Sequence, residues 1–170
     1  FLLRTLAWSQ IFSNSGPLLG FLQDVGIMGT GDRLLGTPFA VVFGLIYNFV
    51  PFMTLPLYTT LEKLDIRYLE AGSDLYASPG KVFAKVTLPL SMPGVISGTL
   101  LTFIPMAGDY VNASKNYLGG AQTSMLGNII EAEYKNFNYP VASALSVGLM
   151  ALILILITLY VRKVGSEDLL

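Results

Sequence analysis

The 170-residue chain contains no cysteine and no histidine. The missing cysteines exclude disulfide bonds and thiol chemistry. The missing histidines remove the commonest general base and metal ligand, so we expect no metal site, no cofactor and no covalent catalysis. Charged residues make up only 12% of the chain, whereas a soluble domain carries about 25%. With a formal net charge of −1, nothing indicates a nucleic acid as partner.

Long apolar runs are present instead. Hydrophobic residues make up 53% of the chain, and the mean hydropathy is +0.62. Three segments have the length of a membrane span, at residues 38–60, 92–111 and 141–161. About 20 helical residues cross a hydrocarbon core of ~30 Å. The sequence therefore predicts an all-α membrane protein, a polytopic bundle of transmembrane helices.

Prolines distinguish the three predicted spans. Pro51 and Pro56 lie in the first span and Pro105 in the second, whereas the third has none. Each proline frees a carbonyl that lipid alone does not satisfy. We expect the first two spans to pack against protein or to line a wet path, and the third to face lipid.

Lysine and arginine predict the orientation. Loop 61–91 and the C-terminal tail together hold Lys63, Arg67, Lys81, Lys85, Arg162 and Lys163, while the other side holds Arg4, Arg33, Lys115 and Lys135. This excess places loop 61–91 in the cytoplasm. Because the chain starts at Phe1 rather than Met, we interpret it as the C-terminal portion of a longer protein.

Loop 61–91 is predicted to fold as two short helices. Leu64, Tyr68, Ala71 and Leu75 recur at helical spacing. Ser78 suits an N-cap and Pro79 the first position of a second helix, which Pro89 should end. Composition alone leaves two interpretations, a docking element with small residues at 71 and 72 for close approach, or an amphipathic loop resting on the bilayer.

The stretch 69–94, "LEAGSDLYASPGKVFAKVTLPLSMPG", resembles the cytoplasmic loop signature of binding-protein-dependent ABC transporter permeases. The matching residues are Glu70, Ala71, Phe83, Leu88, Pro89 and Pro93. Gly72 replaces the second alanine of the signature. Tyr76 stands where the family usually has glycine, so Gly80 is expected to meet part of the turn's demand for positive φ.

Further motifs extend the resemblance to permeases for polyamines: "RTLAW" at 4–8, "PFMTLPLY" at 51–58, "FIPMAGDYV" at 103–111 and "YLGG" at 117–120. The resemblance implies a single MetI-like permease domain over 1–170, in the multi-pass bacterial cytoplasmic membrane. It also implies a cytoplasmic ABC ATPase dimer, a second permease subunit, an extracytoplasmic solute-binding protein and membrane lipid as partners. The coupling residues that it implies are Glu70, Ala71, Gly72, Asp74, Gly80, Phe83, Leu88 and Pro89.

Asp109 is the only charged residue in the predicted spans. Because a carboxylate within a membrane is costly, it is a candidate for attracting an ammonium group of a polyamine. The aromatic candidates for the same substrate path are Tyr110, Tyr47, Phe103 and Phe52. The alternatives are a carboxylate that reaches the headgroup layer and rings that only pack the bundle.

Other functions remain open. Permeases for iron, sulfate or molybdate share the loop, although an anion permease would leave Asp109 unexplained. A scaffold or channel subunit would need no ATPase. Intramembrane proteolysis lacks the second aspartate or the histidine that it requires, and "GDRLLGTP" at 31–38 lacks the lysine of a phosphate-binding loop.

Overall fold

The computed structural model describes residues 1–29 and 31–164, and within these ranges it contains helices and no strand. The helices are α1 (Leu2–Ile11), α2 (Pro17–Asp24), α3 (Pro38–Glu62), α4 (Ile66–Asp74), α5 (Pro79–Val82), a π-helical segment (Phe83–Thr87), α6 (Leu88–Ala107), α7 (Leu126–Lys135) and α8 (Tyr139–Val164). The predicted all-α class is confirmed.

Among the described residues, three helical stretches are long and apolar enough to cross a membrane: Pro38–Glu62, Pro79–Ala107 and Tyr139–Arg162. The first begins at the residue predicted for it and ends two residues beyond the predicted end. The third begins two residues early and ends one residue late. Its most apolar window has no buried residue within the structure, and the orientation of this helix toward lipid stays a prediction.

The second stretch corrects the sequence-based prediction. Pro89 does not end a helix, because α5, the π-helical segment and α6 run on without a break. The backbone N–H of Leu88 donates to the Phe83 carbonyl, five residues back. A proline removes one N–H and clashes with the carbonyl four residues earlier. The wider π turn accommodates the missing N–H and the ring of Pro89, and the helix continues through Pro89.

The outer end of this helix also differs from the prediction. It stops at Ala107, not at residue 111. Asp109 and Tyr110 therefore lie in the loop that follows the span.

The chain divides into two compact units, one formed by Val50–Phe103 and the other by Phe1–Phe49 with the residues from Ile104 on. The first unit, called the loop unit below, contains parts of α3 and α6 and all of the loop between them. The assignment of 1–170 to a single permease domain stays a prediction.

Within the loop unit, α3 and α6 approach closely at two glycines of α6. A Cβ atom added to Gly94 would lie 2.6 Å from Thr60 Oγ1 and 2.9 Å from the Pro56 carbonyl oxygen. A Cβ added to Gly98 would lie 2.7 Å from Met53 Sδ. Two small residues four apart allow helix backbones to meet in membranes. Gly94 and Gly98 form such a pair on α6.

In the other unit, the buried apolar core joins α1 and α2 to the first half of α3 and to the loop after α6. Its fully buried members include Phe12, Ala40 and Leu118. Leu118 is held in place because its carbonyl accepts the Gly36 N–H at 3.0 Å. The segment after α6 thus packs against the start of α3. It is followed by α7, in a region for which the sequence predicted only a loop.

Candidate functional site

Loop 61–91 begins with a capped helix. Asp65 is the N-cap of α4, and its Oδ1 accepts the Arg67 N–H at 2.9 Å. Ser78 is the N-cap position of α5, and Pro79 follows it at the start of the helix. Both predicted short helices are therefore present. The second is the first part of a spanning helix rather than a separate element.

Gly72 brings the two short helices together. A Cβ added to Gly72 would lie 3.3 Å from Val82 Cγ2, and Val82 is one of the buried residues of the chain. The close approach that the sequence predicted for residues 71 and 72 thus occurs at Gly72, within the loop itself. Ala71 remains exposed.

The turn between the helices is formed by Tyr76. Its φ is +57°, in the left-handed region that disfavours residues with a Cβ. Gly80 lies inside α5 and has no positive φ. The prediction that Gly80 meets part of the turn's demand is wrong, because the turn closes before Pro79 fixes the helical start.

The remaining signature residues lie on the surface of the loop. Leu75 is 82% exposed and Tyr76 99% exposed, and Phe83 is also exposed. Glu70 and Asp74 are exposed on α4, while Leu88 and Pro89 are exposed in the first turn of α6. Glu70 forms no ion pair with Arg67 or with any other residue that the structure describes. The loop thus presents an apolar tip beside an unpaired carboxylate.

The strained turn gives a testable expectation. Tyr76→Gly and Tyr76→Ala both remove the ring, but only glycine relieves the left-handed backbone, which costs about 1–2 kcal/mol. We expect backbone amides of α4 and α5 to exchange with solvent roughly fivefold more slowly in Tyr76→Gly than in Tyr76→Ala. Hydrogen exchange followed by mass spectrometry measures this. Equal exchange in the two variants would contradict the strain.

In the other unit, Asp109 belongs to a buried polar cluster formed by Thr5, Asn48, Asp109 and Asn112. Asp109 Oδ1 accepts the Asn112 backbone N–H at 2.8 Å, and Oδ2 accepts Asn112 Nδ2–H at 3.0 Å. Asn48 Nδ2–H donates to Asn112 Oδ1 and to Thr5 Oγ1, each at 3.1 Å. The cluster ties α1, α3 and the loop after α6 together.

The surroundings of Asp109 do not fit the predicted role in a substrate path. The residue is 6% exposed, lies beyond the end of the span, and uses both carboxylate oxygens inside the chain. Burial raises the pKa of the Asp109 carboxyl, while hydrogen bonds from the backbone and side chain of Asn112 act to lower it. The geometry favours a structural role, in which the carboxylate fixes the turn at residues 109–112.

The other three members of the cluster were not predicted from the sequence. The available signal was Asn48, a polar amide within an otherwise apolar span, which in membranes usually hydrogen-bonds to another segment. Thr5 and Asn112 carried no comparable signal, because their pairing depends on contacts between distant parts of the chain.

The four aromatic candidates are divided between the two units, with Tyr47 and Tyr110 in one and Phe52 and Phe103 in the other. Tyr47 packs against Trp8 with ring centroids 5.2 Å apart, and it stacks on Phe43 at 6.4 Å. Phe52 and Phe103 lie in the loop unit. All four rings, including Tyr110, are partly exposed.

No group of three acidic, histidine or cysteine side chains is arranged to hold a metal ion in the described part of the chain. Within the loop unit, the exposed apolar tip at Leu75 and Tyr76 and the neighbouring Glu70 form the candidate site. Exposed side chains of this kind suit contacts with a partner protein.

Comparison with models of protein families identifies the family of the chain. Residues 5–164 match the model of the binding-protein-dependent transport system inner membrane component. The chain therefore belongs to this family of transport permeases and is a multi-pass inner-membrane protein. The resemblance found in the loop signature is confirmed.

Particular relatives refine the family. The chain is similar to the spermidine/putrescine transport system permease protein PotB of Haemophilus influenzae, with 43% identity over 95% of this chain and 56% of the relative. The PotB protein of Escherichia coli is 36% identical over 95% of this chain and 58% of the relative. The PotC protein of Escherichia coli is 32% identical over 69% of this chain and 44% of the relative. The chain spans little more than half the length of the PotB relatives.

Proposed function

We propose that the chain forms part of the permease of an ATP-driven importer that carries polyamines across the cytoplasmic membrane. The observation that carries the proposal is the exposed two-helix loop, which bears the family signature and lies between two spanning helices in one compact unit. The polyamine substrate is supported by the similarity to relatives named as spermidine/putrescine permeases.

In this proposal a separate cytoplasmic ABC ATPase dimer hydrolyses ATP and binds the loop. The exposed Leu75 and Tyr76 at its tip supply apolar area. Side chains of this size, exposed together, are typical of interaction surfaces. Glu70, which has no partner in the described chain, pairs with a basic group of the ATPase.

Transmission of the movement depends on the packing inside the loop unit. Gly72 against Val82 couples α4 to α5, and α5 continues into α6 through the π-helical segment. Gly94 and Gly98 then hold α6 against α3. A displacement of the loop therefore moves the adjoining parts of both spans together, opening or closing the path.

The complete importer also needs a second permease subunit and an extracytoplasmic solute-binding protein that delivers the substrate. Tyr110, Tyr47, Phe103 and Phe52 are our candidates for ring faces that attract the ammonium groups of the substrate, since aromatic rings bind cations. Asp109 is the weaker candidate, because both of its oxygens are already occupied.

Uptake of labelled substrates by the complete transporter in sealed membrane vesicles tests the proposed function. We expect ATP-dependent accumulation of labelled spermidine and putrescine, and no accumulation of labelled sulfate or molybdate. Accumulation of iron or of an anion in place of polyamines would redirect the substrate assignment. Absence of any ATP-dependent uptake would favour a scaffold or channel subunit.

Asp109→Asn separates the structural role from the substrate role. The substitution replaces an acceptor with an amide that opposes Asn112 Nδ2, so we expect a loss of about 1–3 kcal/mol in the stability of this region. Thermal melting of the assembled transporter should shift downward, with the KM for spermidine unchanged. Asp24→Asn, at an exposed aspartate, is the matched control. A raised KM with unchanged melting would assign Asp109 to the substrate path.

A further inference from the structure

An open groove lies along α7 and α8 in the unit that contains them. Its first part has a volume of about 540 Å³ and is lined by Tyr110, Glu131, Tyr134 and Tyr139 together with residues of the first turns of α8. Its second part, of about 350 Å³, follows α8 as far as Ile157. Ile130, Ser146 and Leu149 line both parts. The two parts therefore form one continuous trough, called the α7–α8 groove below.

The second part has the length and the polarity of an acyl-chain site. Its residues on α8 run from Ser146 to Ile157, which corresponds to about 16 Å of helix. This is about half of a ~30 Å hydrocarbon core, or one leaflet. Apart from Ser146, its lining side chains are apolar, among them Leu149, Met150 and Ile153.

The first part has the character of the membrane interface. Tyr134 and Tyr139 pack edge to face with ring centroids 5.3 Å apart, and Tyr110 lines the same part. Tyrosine is enriched where the hydrocarbon core meets the headgroups. The aromatic end of the groove lies at the start of α8, where that spanning helix enters the membrane.

At the rim of this end, Glu131 lines the groove and pairs with Lys135, which lines a neighbouring depression rather than the groove itself. Glu131 Oε1 lies 2.6 Å from Lys135 Nζ, one helical turn along α7. The Lys135 side chain is 66% exposed, and Glu131 Oε2 accepts no hydrogen bond from any residue that the structure describes. An exposed ion pair of this kind is worth only about 0–1 kcal/mol, so a ligand with both charges can bind to it at little cost.

We propose that the α7–α8 groove binds a phospholipid whose headgroup combines a primary ammonium with a phosphate. One acyl chain occupies the part along α8, the ammonium donates to Glu131, and the phosphate accepts from Lys135. A polyamine fits less well, because Lys135 repels its further ammonium groups, whereas the phosphate of the phospholipid pairs with Lys135. An anionic phospholipid would meet the carboxylate of Glu131 without a group to pair with it. The site is distinct from the ATPase-binding loop and independent of the substrate that the importer carries.

Native mass spectrometry of the complete purified transporter, exchanged into palmitoyl-oleoyl phosphatidylethanolamine or phosphatidylglycerol, tests the proposal. We expect the unmodified transporter to retain phosphatidylethanolamine at least threefold more than phosphatidylglycerol. Ser146→Trp fills the groove where its two parts meet and should remove one retained lipid per copy of this chain. Ala144→Trp, on a position about 160° around the same helix, is the matched control and should retain it.

A double variant Glu131→Gln/Lys135→Gln tests the headgroup without altering the apolar part. It should still retain lipid but lose the preference for phosphatidylethanolamine. Unchanged retention in Ser146→Trp, or an unchanged preference in the double variant, would overturn the proposal. A photo-crosslinker at Leu149 that captures a polypeptide instead of lipid would also overturn it, by showing that a protein segment covers the groove.

Discussion

Transporters that carry Glu70→Lys are expected to lose ATP-dependent polyamine uptake while the subunit stays in the membrane. Glu70 is exposed on α4 and has no ion pair in the described chain, so its substitution should leave the fold intact. If its partner is a basic group of the ATPase, the reversed charge places two cations together. Like charges opposed at an interface cost several kcal/mol, and every 1.4 kcal/mol corresponds to about tenfold in affinity.

The experiment compares uptake, ATPase binding and the amount of subunit in the membrane. Asp24→Lys is the matched control, because Asp24 is also exposed and lies at the C-terminal end of α2, outside loop 61–91, where a cation is tolerated well. We expect uptake to fall more than tenfold in Glu70→Lys and little in Asp24→Lys. Equal uptake in the two variants would show that Glu70 is only a solvated surface charge.

The second large effect is expected for Gly94→Leu. Any side chain at this position meets the Pro56 carbonyl and Thr60 Oγ1 at less than 3.0 Å, and the carbonyl belongs to helical backbone that cannot move aside. Overpacking of this kind costs about 1–3 kcal/mol. The variant should separate α6 from α3, lower the melting temperature of the transporter and uncouple the loop from the spans.

Gly148→Leu is the matched control on α8. A Cβ added to Gly148 meets no atom of the described residues within 4 Å outside its own stretch of helix, so we expect a change within about ±0.5 kcal/mol. Thermal melting and uptake are measured for both variants. The packing account is contradicted if Gly94→Leu melts and transports like the unmodified protein.

The sequence predicted much of the fold because apolar length is a strong signal in a membrane protein. α3 and α8 are recognisable from uninterrupted runs such as the one at 141–161, and Ser78-Pro79 correctly indicated the start of α5. The continuation of that helix through Pro89 could not be read from sequence rules, because these treat a proline as an end and not as the neighbour of a π turn. α2 and α7 were missed because each is short and lies in a region with turn residues.

The candidate site was only partly predictable. The loop signature identified the exposed residues around Glu70, and it led to the correct family. The sequence alone does not distinguish Gly94, which packs against α3, from Gly148, because both are glycines in apolar helices. A Cβ added to Gly148 would meet no described atom within 4 Å outside its own stretch of helix. Asp109 was assigned to a span because the preceding residues are apolar, and its pairing with Asn112 only becomes visible once the loop is folded.

We propose that loop 61–91 is the element through which the ATPase acts on this chain. Photo-crosslinkers at positions 75 and 76 of the complete transporter test it most directly, with position 55 as a control in the same unit, since Leu55 is 66% exposed on a spanning helix. We predict adducts with the ATPase subunit from positions 75 and 76, formed during uptake, and none from position 55. Adducts with lipid alone at positions 75 and 76, in transporters that take up substrate, would contradict the account.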